Sequence, residues 1–383
     1  MPSVKIAPVF INYDKDIIRS NVKTANNTVS LLSVPNKTNS LFTQYYYVEV
    51  GSLHNQLFPI AMDYLQYLGT DKYSADEISK KFYTLACDFG VFPGSEESYV
   101  SLSGLQDNYE KGVELFEHLL RNCKPDEEAL KNMIEGKKKK RSDTKLNKNA
   151  IRSGLRSYAQ YGARNPFNNE LTNEELDQIS ANELVSILHN LTSYNHKILY
   201  YGPATPATLT SKLVSLHYTP QQFTAAPPIK QFTFTEQKSN EVLFADYDMV
   251  QAEIQWFRNS SVYDPAKTPV INMFNEYFGG NMSGIVFQEI RESKALAYST
   301  YAAYGTPTKK GQPFNVSGYV GCQADKMKEA IAGMQELLTA LPKSEKLFTN
   351  SQSSIKNSIS TSRTTKTNIL FSYLNAQKKG LNY

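Results

Sequence analysis

Metal-dependent hydrolysis needs imidazoles and carboxylates on one face. One stretch has that spacing: Glu114, Glu117 and His118 in Glu-Leu-Phe-Glu-His. On a helix the three side chains would share a side. The same residues also continue the polar stripe of an amphipathic segment whose apolar positions are Val113, Leu115, Phe116, Leu119 and Leu120. A charged outer helix face is the simpler reading. His54, His189, His196 and His217 lie in unrelated contexts and supply no second ligand set. Cys87, Cys123 and Cys322 are odd in number and lack CxxC spacing, which excludes a disulfide framework or a zinc knuckle. They read as small buried hydrophobes. The basic run Lys137–Arg141 reads as a solvated helix face, with a nucleic-acid patch as the competing reading.

The elements that must position these residues repeat along the chain. Residues 45–50 (YYYVEV) and 251–257 (QAEIQWF) alternate as half-buried strands do. Each leads through a loop to a helical pattern ending at Tyr67-Leu68-Gly69 or Tyr277-Phe278-Gly279, an offset of about 210 residues. Farther on, 103–120 parallels 320–338, each a strand end running into an amphipathic helix, with Pro125 and Pro342 beyond them as stops. The first copy continues through two helices with Ser/Thr-x-x-Glu capping boxes, Thr172…Glu175 and Ser180…Glu183, to a strand at 197–202. The second copy has no closing strand before Tyr383, so it reads as C-terminally truncated.

With 383 residues, 40% hydrophobic and 20% charged, the chain has material for two cores and is not disordered. The expected fold is α+β: two tandem homologous domains, each a mostly antiparallel sheet covered by helices. A leader or joint occupies 1–20, the first domain 21–216, a Pro- and Gln-rich linker 217–230, and the second domain 231–383. Trp256 is expected in the core on a central strand. The 41 Lys+Arg against 37 Asp+Glu give little reason to expect nucleic acid. No stretch reads as a membrane span or signal peptide, and the compartment is left open.

Ordered along the chain, these features resemble the pitrilysin/insulinase zinc peptidases, the inverted-motif family that includes mitochondrial processing peptidase. The resemblance rests on Val50-Gly51-Ser52, Leu68-Gly69-Thr70 and the segment GGNMSGIVFQEIRESKALAYS at 279–299. It implies halves of two related domains that close around a chamber. Active members carry His-x-x-Glu-His just before Gly-Thr, and those positions fall here on Ile60, Asp63 and Tyr64. The family's third ligand, a glutamate on a later helix, falls on Lys140. An aliphatic group, a phenol and an ammonium do not bind zinc. The resemblance therefore implies no metal and no catalytic residue in this chain, with zinc in a partner half. It also implies that Lys137–Arg141 lies by a chamber, where it would attract acidic peptide.

The family further implies a substrate-binding role for Arg291 and Tyr298, because the non-catalytic half of long members reaches across to the zinc site with an arginine and a tyrosine at this spacing. A phenol can donate to an oxyanion, and a guanidinium can hold a carbonyl. The bland reading is a surface contact across about two helical turns, with Gly279-Gly280 serving only as a helix cap. The expected function is the non-catalytic half of a zinc metalloendopeptidase. Its partners would be an N-terminal catalytic half, fused or separate, and peptide substrates. The alternative is a non-enzymatic peptidase-like subunit that binds presequences or scaffolds a complex.

Overall fold

The computed structural model describes residues 9–381; the first eight residues of the expected leader and the last two of the chain lie outside them. The first unit runs α1 (Tyr13–Asp16), β1 (Ile18–Lys23), β2 (Thr28–Pro35), β3 (Leu41–Val48), α2 (Phe58–Tyr64), α3 (Ala75–Thr84), β4 (Cys87–Phe92) and β5 (Ser98–Leu105). It continues with α4 (Tyr109–Asn122), α5 (Glu127–Lys145), α6 (Lys148–Tyr161), α7 (Asn173–Asp177), α8 (Ala181–His189), β6 (His196–Gly202) and α9 (Pro206–Leu216). Its strands form a six-stranded sheet in the order β1-β2-β6-β3-β5-β4. Only β2 and β6 pair in parallel. β1 opens at Ile18, inside the stretch expected to be leader.

Strand alternation assigns the two faces of this sheet. Phe42, Tyr46 and Val48 of β3 enter the main core with α2, α4 and α8, whereas Tyr45 and Tyr47 point to the opposite face. On α4, Val113, Phe116, Leu119 and Leu120 are buried at helical spacing and Leu115 is partly buried. The Thr172 capping box forms, with the hydroxyl on the Glu175 amide and the Glu175 carboxylate on the Thr172 amide. The Ser180 box does not form: Ser180 has a cap's extended backbone, but its side chain accepts no hydrogen bond from the helix.

The second unit holds β7 (Gln251–Val262), α10 (Thr268–Phe278), a π-helical turn at Phe287–Ser293, β8 (Ser299–Gly305), β9 (Pro313–Gln323), α11 (Met327–Thr339), α12 (Glu345–Thr361) and α13 (Asn368–Lys379). Its sheet is antiparallel, with order β7-β9-β8. β7, β9, α11, α12 and α13 stand to this unit as β3, β5, α4, α5 and α6 stand to the first. Trp256 therefore lies on an edge strand, not a central one. Its ring still packs on the core with Ala252 and Ile254.

The units exchange a helix. Leu370, Phe371, Tyr373 and Leu374 of α13 cover the outer face of the first sheet, against Leu32, Val34, Tyr45 and Tyr47. Conversely α6 lies along β7, where Lys148 and Arg152 pair with Glu253 at 2.8 and 3.2 Å and Arg156 stacks over Phe257. The sequence boundary at 217–230 is thus not a spatial one. Its first residues are held tightly: His217 and Thr219 are buried and Thr224 bridges to Tyr194. Among the described residues no helix is long and apolar enough to cross a membrane.

Candidate functional site

Ile60, Asp63 and Tyr64 lie together on α2, one helical turn apart, and each has a structural occupation. Ile60 is buried in the first core. The Tyr64 hydroxyl accepts from the Asp126 amide at 2.8 Å and donates to the Asp126 carbonyl at 2.6 Å. Since Asp126 caps the N-terminus of α5, this phenol ties α2 to the start of that helix. Burial raises the Tyr64 pKa and keeps the donor proton in place.

One correction follows on α5. Lys140 is exposed and does not face α2. The inward stripe is Leu130, Ile134 and then Lys137, whose ammonium sits 2.6 Å from the Asp63 carboxylate. Lys137 lies about one helical turn before Lys140 on the same helix, on the side that meets α2. An ammonium there repels a divalent cation and competes for the only carboxylate. Among the described residues no group of three or more His, Cys, Asp or Glu could hold a metal ion. The donor set does not fit zinc.

Two more side chains of the basic run are also engaged, while Lys139 and Lys140 are exposed. Lys138 pairs with Asp177, and Arg141 pairs with Glu170 at 3.2 Å and donates to Asn173. These contacts fasten α5 to the α7 region, as a solvated and partly paired face would.

Arg291 and Tyr298 do come together, though not along one α-helix. Arg291 lies in the π-helical turn, whereas Tyr298 follows the left-handed residue Ala295 and leads into β8. The guanidinium stands 4.8 Å from the Phe287 ring centroid and 5.9 Å from that of Tyr298. Tyr298 is 75% exposed, and its amide bonds to the Gly321 carbonyl at 2.8 Å, which fixes the backbone while the phenol faces solvent. Gly279 does more than cap α10: a Cβ there would lie 2.5 Å from the Ala302 carbonyl oxygen, so the glycine lets the turn press against β8. π-Turns and left-handed residues often mark functional sites, and both flank this exposed pair.

A polar cluster in the first unit was missed. Glu117 is not on an outer face: it is 5% exposed, and its carboxylate accepts from the Tyr46 hydroxyl at 2.6 Å. His217 Nδ1 lies 2.7 Å from the same oxygen, and His217 Nε2 lies 2.7 Å from His196 Nε2. His196 Nδ1 then meets the Tyr194 carbonyl at 2.7 Å. These two histidines are therefore partners, contrary to their sequence contexts. Burial, reinforced by His217, lowers the His196 pKa to about 3. Glu114 and His118 point elsewhere; His118 contacts the Thr70 hydroxyl at 3.0 Å and Asp71 at 3.4 Å. The cluster is a structural lock without solvent access. The signal available in sequence was a glutamate one position inside the polar stripe.

Residues 171–353 match the family profile described as the peptidase M16 inactive domain. Over that stretch the chain is similar to the M16 inactive domain. Over 90 residues it is 31% identical to the uncharacterized zinc protease YmxG of Bacillus subtilis, a match covering 23% of this chain and only 21% of YmxG. The M16 fold is seen in a peptidase M16 inactive domain from Pseudomonas fluorescens, with TM-score 0.69, 16% identity, and 95% and 87% of the two chains covered. It is seen again in the periplasmic protease PqqL of Escherichia coli, with TM-score 0.74 and 12% identity. That superposition covers 99% of this chain and 44% of PqqL. The ferredoxin protease FusC, solved with Arabidopsis ferredoxin, aligns at TM-score 0.68 and 14% identity over 94% of this chain and 41% of FusC. The M16-like chain thus spans less than half of these two proteases.

Proposed function

We propose that this chain is the non-catalytic half of a zinc metalloendopeptidase acting on peptides or small unfolded proteins. The observation that carries the reading is the Lys137–Asp63 ion pair on α2 and α5. Among the described residues no group could hold a metal ion, and in this reading zinc and the general base come from a partner half. Two long proteases of this fold, of which the chain covers 44% and 41%, support an organisation in halves. Substrate would add as a β-strand to the partner half's edge, where main-chain bonds give affinity. This half supplies the opposing wall and a two-residue clamp.

In the clamp, Tyr298 donates to the developing oxyanion and Arg291 holds a neighbouring carbonyl. Their exposure suits groups that meet substrate only on closure, when water is expelled and the hydrogen bonds strengthen. Tyr298→Phe in the assembled enzyme should lower kcat by about 10²–10³-fold with a modest change in KM. A loss below about twofold would remove Tyr298 from the reaction.

A further inference from the structure

Arg291 holds its donors in reserve. A guanidinium carries its N–H donors in one plane, pointing outward along the edge. Arg152 spends some of them on Glu253 and Asn149, and Arg156 donates to Asn315, although both also stack over a ring. Arg291 stacks too, 4.8 Å from the Phe287 centroid, yet among the described residues it makes no hydrogen bond. Its paired carboxylate, Glu292, stands 3.7 Å from Nε, beyond hydrogen-bond reach. A ring holds a guanidinium by its flat face and leaves the N–H edge available, whereas a carboxylate partner would occupy that edge.

Phe287 is the better anchored of the two rings beside it. It lies four residues before Arg291 in the π-helical turn and is half-buried, between Val286 and the turn's Ile290, both fully buried in the second core. The backbone here is fastened at three points. The Gln288 amide bonds to the Gly284 carbonyl at 3.0 Å, Lys294 to Glu289 at 3.1 Å and Leu296 to Ile290 at 2.9 Å. Tyr298, by contrast, stands 5.9 Å away and faces solvent. A long side chain used for binding loses rotamer freedom when it is fixed, and a ring that holds it beforehand removes part of that cost.

We infer that Phe287 is the positioning residue for Arg291: its ring fixes the guanidinium plane so that the free N–H edge can meet a substrate carbonyl. The inference rests on the clamp reading above and adds a residue to it. Phe287 acts through Arg291 and needs no contact with substrate.

In the full chain, the Arg291 Nε–H nuclear magnetic resonance signal, assigned by its loss in Arg291→Gln, should lie upfield of a solvated arginine. Phe287→Tyr should keep that shift and Phe287→Leu should abolish it. In the assembled enzyme, Phe287→Leu should raise KM by about three- to tenfold with kcat nearly unchanged, and Phe287→Tyr should behave as wild type. Added to Arg291→Gln, Phe287→Leu should change nothing further, because the two residues act as one unit. An unshifted signal in the wild-type chain would overturn the proposal, and that measurement stands even if Phe287→Leu misfolds. So would a Phe287→Leu effect that persists in full beside Arg291→Gln, or none where Arg291→Gln alone raises KM. If Arg291→Gln leaves both constants unchanged, the clamp reading falls and takes the substrate role of Phe287 with it, whatever the shift shows.

Discussion

Removing the Glu117 carboxylate strips the Tyr46 hydroxyl and His217 Nδ1 of their partner inside the first core. Each orphaned buried group costs about 1–3 kcal/mol, so Glu117→Ala should lower unfolding stability by about 2–5 kcal/mol, read from the denaturant midpoint. His196 adds a pH dependence. Its pKa is about 3 when folded against an ordinary 6.5, so the unfolded chain binds the extra proton throughout that interval. Stability is full above pH 6.5 and falls as pH drops toward 3, by up to about 1.4 kcal/mol per unit. His196→Gln should flatten that slope in urea titrations at pH 4.5–7. No local pattern could disclose this lock, because His217 and Glu117 are a hundred residues apart and meet only through tertiary packing. That Arg291 and Tyr298 lie near each other could be read beforehand only because both belong to one short segment.

Helices α2 and α5 are held together by a phenol on a helix cap and by an ion pair. At about one-third exposure the ion pair contributes at most about 1 kcal/mol, so its consequence is exclusion of a cation more than stability. Ile60→His with Tyr64→His should therefore still fail to bind zinc while Lys137 remains. Adding Lys137→Glu should yield about one zinc per chain by elemental analysis after gel filtration. Zinc bound stoichiometrically by the double variant would show that Lys137 does not close the site. The α2 substitutions could be counted from Gly69-Thr70, which follow closely on the same stretch. The α5 partner of Asp63 could not, because which lysine of the run meets it depends on how α5 packs on α2.

At the scale of the molecule, α6 and α13 each complete the unit to which they do not belong in sequence. The two units should thus unfold together, giving one transition by Trp256 fluorescence for the second and by tyrosine near-ultraviolet circular dichroism for the first. Ending the chain after Lys366 removes Leu370 and Leu374, whose burial contributes about 1.5–3 kcal/mol each. That variant should split the transitions and lower the first. Repeats, strand alternation and helix periodicity expose two related units in the sequence itself. They did not expose the exchange, since an amphipathic helix shows that it has an apolar face without naming the surface it meets. The exchange also bears on synthesis. As the polypeptide leaves the ribosome, the tyrosine-rich side of the first sheet can form early but stays wet until a helix from far downstream emerges. The nascent chain therefore carries a sticky face until α13 has been made, and slow elongation or a nonsense codon before α13 should send it to chaperones or proteases.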